Sequence, residues 1–370
     1  MLQVVDRIGF FINTPFHYYL YEDTINSLQE KGYTCDLILN DDISHNEEWR
    51  EMYNGTVEFI ENIERDDLEA FPCSVLLLNG IKYNCVVSPY YFSQLSDLGI
   101  FNVRMMYGVG FGLEKESWNF SYWNVFYDMI LNYGQYDYER TNIFNSGRII
   151  GNPKFDRWFN NQINVDLVLS SMKNYEPSKK TVLYAPTYGE HSSIDQWLDK
   201  LELLQKEYNV IVKLHHGTTS LQSEFSRRQK IYSMFDNVTD DRTNTLDLLK
   251  IADIVITDTS GMIFDSLLAG KKTIILNTDR SDKYKSKSPE ANLLREIVTS
   301  YDIGRSLETS LQSIFSEEPL EVDIMQSLID NFFAFRDGRS SVRAAEAIID
   351  TVQNPKQNIL REDLKEKLKL

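Results

Sequence analysis

The chain has 370 residues, 42% of them hydrophobic and 25% charged, with a formal net charge of −17. That length supports two domains with separate cores, and the composition is that of an ordinary globular protein. The acidic balance argues against wrapping nucleic acid, which needs concentrated Lys and Arg, and leaves room only for a local basic pocket.

The N-terminus, MLQVVDRIGFFIN, reads as a strand rather than a signal peptide. No uncharged stretch approaches the ~20 residues that span a bilayer. Apolar runs at Ile8–Ile12, Cys35–Asn40, Val57–Ile60, Ser74–Leu78, Cys85–Ser88, Asn102–Tyr107 and Asp128–Tyr133 read as strands. They continue at Arg148–Ile150, Thr181–Ala185, Val210–Leu214, Asp253–Thr257 and Thr273–Leu276. Helical patterns fall between them at Tyr18–Lys31, Ile194–Lys206, Thr245–Ile251 and Ser341–Val352. The alternation implies right-handed βαβ units and parallel sheets. A polar segment near 147–180 marks a boundary. The expected division is 1–150, 151–345 and a helical tail, 346–370. In that tail Leu360, Leu364 and Leu368 recur at helical spacing between lysines, a pattern for docking on the protein or touching an anionic membrane surface. Cys35, Cys73 and Cys85 lie in or beside apolar runs, as reduced core residues of a cytoplasmic protein would.

Ile251–Leu276, IADIVITDTSGMIFDSLLAGKKTIIL, is the densest signal. A buried strand ends in Asp258-Thr259-Ser260-Gly261 and a short helix follows. A helix N-terminus at the carboxyl end of a parallel strand suits phosphate, and the same residues also serve as a plain helix cap. TVLYAPTY delivers Thr187 to a strand end, and VIVKLHHG delivers His215 and His216. Three strand ends thus bring small polar or basic groups to one rim. A metal site would need a further ligand at fitting spacing, and none is seen. Near the N-terminus His17 follows the first strand. It either takes a proton from a substrate hydroxyl or caps and packs the first helix. The run Tyr107-Gly-Val-Gly-Phe-Gly112, with Gly108, and then Glu114, forms a candidate loop on the acceptor side.

Five segments together resemble the CDP-glycerol glycerophosphotransferase family of teichoic-acid primases and polymerases. They are GRIIGNPKFD, VLYAPTY, VIVKLHH, ADIVITDTSGMIFDSLLAGKKTIIL and FRDGRSSVRAAEAII, in the family's order over Gly147–Asp350. The resemblance implies an α/β chain of the GT-B fold: two doubly wound, Rossmann-like domains facing a central cleft, the nucleotide-activated donor held by the C-terminal one. It places His215 at the family's donor-binding histidine and Asp258, Thr259 and Ser260 around the donor pyrophosphate. Asp265 would meet the ribose, and Thr187 would lie on the donor side. No metal or other cofactor is implied. The family's Trp-His-Gly-Thr is replaced by Met106-Tyr107-Gly108-Val109, and His17 is then the expected acceptor-side base. The implied reaction transfers a polyol-phosphate unit from CDP-glycerol or a similar donor to a hydroxyl of a cell-surface glycan or its lipid-linked precursor. That work belongs in the cytoplasm, at the inner face of the membrane. A nucleotide-sugar glycosyltransferase and a catalytically degenerate GT-B binding subunit are the alternatives. A sugar-nucleotide 2-epimerase shares the architecture, but no carboxylate set is assigned to it.

Overall fold

A computed structural model describes residues 3–109, 118–280, 288–316 and 322–368. The chain forms two compact units. One runs to Asn161 and resumes at Asp330; the other comprises Gln162–Ile329.

The first unit is built on a seven-stranded sheet in which every described pair is parallel. Its strands are β1 (Gln3–Ile12), β2 (Cys35–Leu39), β3 (Glu69–Pro72), β4 (Ile81–Ser88), β5 (Gly99–Met105), β6 (Met129–Asn132) and β7 (Gly147–Ile149). The order β3-β2-β1-β4-β5-β6-β7 places the switch in winding direction between β1 and β4. Phe10, Ile12, Leu37 and Val87 are fully buried, as strands covered on both faces require. The helix Pro15–Glu30 packs Leu20, Ile25 and Leu28 into the same core. At Gly9 an added Cβ would lie 2.4 Å from Ile38 Cδ1, so a larger residue there requires the Ile38 side chain to shift.

The second unit repeats the plan with six parallel strands: β8 (Thr181–Tyr184), β9 (Asn209–Lys213), β10 (Asn237–Thr239), β11 (Ile254–Thr257), β12 (Lys272–Leu276) and β13 (Ser300–Tyr301). The order is β10-β9-β8-β11-β12-β13, with the switch between β8 and β11. Val182, Val212, Ile256 and Ile274 pack with Trp197 and Leu201 of the helix Ile194–Leu203.

Several sequence expectations need correction. Val57–Ile60 and Ser74–Leu78 are helical, inside Arg50–Asn62 and Cys73–Leu78. The first buries Met52, Thr56 and Phe59, a helical spacing that outweighs the short β-branched run. The division at 345/346 also shifts, because the chain has already returned to the first unit at Asp330. The helix Ser340–Gln353 buries Ala344, Ala345, Ala347 and Ile348 in the first core. Asp156 fixes its start. The Ser340 and Ser341 N–H groups donate to its carboxylate at 2.8 and 2.7 Å, and Ser341 Oγ at 2.6 Å. Two of the five family-like segments therefore clasp each other as a charge-assisted helix cap. In the last helix, Ile359–Leu368, Leu360 is 62% exposed. Arg361 docks instead, donating to Tyr127 O at 3.0 Å and pairing with Asp128 at 2.5 Å. No helix among the described residues is long and apolar enough to cross a membrane.

Candidate functional site

In open α/β sheets ligands gather at strand carboxyl ends beside the switch point. The second unit puts the loops after β8, β9 and β11 there. Thr187, Asp258, Thr259 and Ser260 are each at least nine-tenths buried. Asp258 is fully buried and binds three donors at 2.8 Å: Thr187 N–H, Ser193 N–H and Ser193 Oγ. Thr257 Oγ1 also donates to Ala185 O at 2.7 Å. These bonds tie the β11 turn to the β8 loop. Asp258 is thus a brace, with its carboxylate turned into protein donors rather than offered to a pyrophosphate it would repel. Ser260 Oγ accepts the Met262 N–H at 3.2 Å and caps the helix Met262–Leu268. Asp265 stands half-buried in the first turn of that helix.

His215 precedes the short helix His216–Ser220 and caps it: its Nδ1 accepts the Gly217 N–H at 3.1 Å. A neutral imidazole with Nδ1 accepting carries its proton on Nε2, which makes Nε2 a hydrogen-bond donor. Its ring stacks on Tyr188 at 4.7 Å and lies 3.9 Å from the His216 ring. A Cβ at Gly217 would come within 2.5 Å of the Tyr188 ring, so glycine makes room for that stack. Glu224, buried, accepts the Gly189 N–H at 3.2 Å and pairs with Arg227 at 2.6 Å. Arg227 donates in turn to Gly189 O at 2.9 Å. The loop carrying Tyr188 is thereby held on both sides. Ser193, Glu224 and Arg227 escaped the sequence reading because no motif distinguishes them from solvated polar residues.

In the first unit the matching edge carries His17, after β1, and Tyr107 and Gly108, after β5. The structure brings His17 and Tyr107 together, with ring centroids 6.3 Å apart. Tyr90, after β4, lies 5.7 Å from His17. His17 is only 4% exposed, and burial pushes its pKa down to about 3. Its Nδ1 accepts the Asn13 N–H at 3.1 Å, which again leaves the proton on Nε2. The expected titration near neutral pH is corrected accordingly: His17 stays neutral there and presents a donor, a poor arrangement for a general base. Glu114 lies outside the described residues. Among the described residues no group of three or more His, Cys, Asp or Glu is placed to hold a metal ion.

Two doubly wound parallel units, each with polar loops at its switch point, define a GT-B fold. Solved structures share it. The wall teichoic acid polymerase TagF, in a structure soaked with CDPG, aligns with TM-score 0.66 and 16% identity, over 94% of this chain and 89% of that one. The UDP-GlcNAc 2-epimerase of Neisseria meningitidis, bound to UDP-GlcNAc, aligns with TM-score 0.59 and 14% identity, over 94% and 99%. Residues 109–350 match the family described as CDP-Glycerol:Poly(glycerophosphate) glycerophosphotransferase, and the chain belongs to that family. A teichoic acid ribitol-phosphate primase of Bacillus spizizenii is 26% identical over 54% of this chain and 52% of its own length. The teichoic acid ribitol-phosphate polymerase TarK of Staphylococcus aureus is 27% identical over 45% and 33%. The matches thus span about half and a third of those two relatives.

Proposed function

We propose that the protein transfers a polyol-phosphate unit, of the glycerol or ribitol type, from a CDP-activated donor to a hydroxyl of a cell-surface glycan or its lipid-linked precursor. The acceptor oxygen attacks the phosphorus that carries the polyol. The bond from that phosphorus to the bridging oxygen breaks, CMP leaves, and the acceptor proton passes to solvent. The new linkage is a phosphodiester.

The observation that carries this reading is the His215 loop within the family-matched segment. The Gly217 N–H is bonded to Nδ1, which puts the proton of a neutral His215 on Nε2, and in this reading that N–H donates to the developing phosphate charge. Thr259 and Ser260 add hydroxyls and Thr187 a further polar side chain. Asp265 accepts from the ribose, and Asp258 keeps the two loops in register. His17 donates to the acceptor through Nε2 and orients it. No metal is required when N–H groups, hydroxyls and an imidazole share the charge. A lipid-linked acceptor would place the protein against the inner face of the membrane.

A thermal-shift series with CDP-glycerol, CDP-ribitol, UDP-sugars and GDP-sugars tests the donor. A ligand bound by the native state alone raises the midpoint by mass action. The expected result is a rise with CDP-polyols only. A rise confined to UDP- or GDP-sugars would replace this reading with sugar transfer.

A further inference from the structure

Among the described residues of the second unit four carboxylates are buried, and three of them are engaged by protein donors. Asp258 takes the three bonds described above. Glu224 takes the Gly189 N–H and pairs with Arg227. Asp240 takes the Arg242 N–H at 3.0 Å and the Arg242 guanidinium at 2.7 Å. Asp241 is the exception. It is 5% exposed, and its Oδ2 has no hydrogen-bond partner among the described residues. A buried carboxylate oxygen left bare is costly, so a ligand that brings a donor there gains a bond the protein does not supply.

The place of Asp241 in the fold narrows the ligand. It lies in the turn after β10, on the same carboxyl rim as the donor loops. The Leu214 N–H, immediately before His215, donates to Thr239 O at 2.8 Å, and Lys213 Nζ donates to Asp240 O at 3.2 Å. The β10 turn is thereby fastened to the strand that carries His215. At about 4.8 Å per strand, the β10 end stands about 5 Å from the β9 end and about 14 Å from the β11 end. A nucleotide lying along this rim, its phosphates at the His215 and Ser260 loops, carries its base toward the β10 turn.

Burial raises the Asp241 pKa to about 6, and the nearby Lys213 ammonium offsets part of that rise, so the carboxyl is ionised at pH 8. An ionised carboxylate repels phosphate and accepts an N–H. Cytosine presents an exocyclic amino group where uracil presents a carbonyl oxygen, a second acceptor that a carboxylate disfavours. We infer that Asp241 Oδ2 accepts a hydrogen bond from the exocyclic amino group of cytosine, which makes Asp241 the residue that selects a cytidine over a uridine donor. This rests on the transferase reading above and assigns its nucleotide preference to one side chain.

Isothermal titration of the full chain at pH 8 with CMP and UMP tests it. The readout is the ratio of the two affinities, in which the shared ribose phosphate cancels. The wild type should favour CMP about ten- to a hundredfold, the range of one hydrogen bond to a charged group. Asp241→Asn should erase most of that ratio and hold or raise UMP affinity, because its amide can turn NH2 toward the uracil oxygen. A second probe needs no variant and decides the matter even where Asp241→Asn fails to fold. The 5′-monophosphate of 2-pyrimidinone riboside, which is CMP without its amino group, should bind the wild type no better than UMP. Equal losses of CMP and UMP in Asp241→Asn, an unchanged ratio in that variant, or tight binding of the pyrimidinone nucleotide would overturn the inference while a CMP preference left the cytidine-donor reading standing. A wild type that favours UMP or binds neither nucleotide would overturn the donor reading and the inference with it.

Discussion

Replacing Asp258 by Asn isolates the brace between the β8 and β11 loops. The side chain keeps its shape and loses its charge and one acceptor oxygen. In the wild type one oxygen takes the Thr187 N–H and the other takes the Ser193 N–H and Oγ, all at 2.8 Å. An asparagine oriented to keep the Thr187 bond turns its NH2 toward the Ser193 N–H. One charge-assisted bond, worth roughly 1.5–3 kcal/mol, is lost, and a buried N–H left unpaired costs roughly 1–3 kcal/mol more. A total of about 2.5–6 kcal/mol is a large part of the roughly 5–15 kcal/mol that stabilises a typical domain. At roughly 2–4 °C per kcal/mol for a unit of this size, the calorimetric transition of Gln162–Ile329 should fall by about 5–24 °C. The transition of the other unit should not move. Donor affinity should fall with it, because Thr187 and the Thr259–Ser260 turn lose their shared anchor. Asp265→Asn is the counterpart: it should weaken nucleotide binding with little change in either transition. An Asp258→Asn protein with both transitions and donor affinity intact would refute the brace.

Gly217→Ala should push Tyr188 off His215 and cost about 1–3 kcal/mol in the second unit's stability, the usual range for overpacking, read by the same calorimetry. His17 gives a pH dependence of definite sign. Its folded pKa, about 3, lies below the unfolded value, so the unfolded chain binds the extra proton between these two pH values. Its contribution is therefore fully present at neutral pH and is lost as pH falls from about 6.5 to about 3, by roughly 4–5 kcal/mol. His17→Gln should remove that share of acid sensitivity from the first unit, and an unchanged pH profile of stability would contradict the buried neutral imidazole. Turnover of the wild type should show no acidic limb from His17 near pH 6. Activity should survive EDTA, and a loss restored by Mg²⁺ or Mn²⁺ would overturn metal independence.

The central strands were legible because burial on both faces leaves continuous apolar runs ending in Pro, Gly or Ser, as at TVLYAPT and IVITDTSG. Three of the four edge strands were not; the exception, Gly147–Ile149, was read as Arg148–Ile150. Asn237–Thr239, Ser300–Tyr301 and Glu69–Pro72 are two to four residues long, too short for any period to show. The return to the first unit at Asp330 was hidden because the Asp156 clasp joins residues 184 apart in sequence. At the site, the positions of Thr187, His215 and Ser260 followed from strand ends, while the work of Asp258 did not. A carboxylate in a polar turn reads alike whether it faces a ligand or a neighbouring loop. His17 was found for its place after β1, but its burial among aromatic rings, which sets its protonation, depends on Tyr90 and Tyr107 from distant strands.

The most direct test of polyol-phosphate transfer is to incubate the protein with CDP-glycerol or CDP-ribitol and a lipid-linked or soluble glycan acceptor, and to follow the mixture by ³¹P NMR. The expected result is a new phosphodiester resonance that grows in equal amount with CMP. Release of a nucleoside diphosphate with a new glycosidic bond from a nucleotide sugar, or no turnover of any CDP-polyol by a protein that binds it, would contradict that reaction.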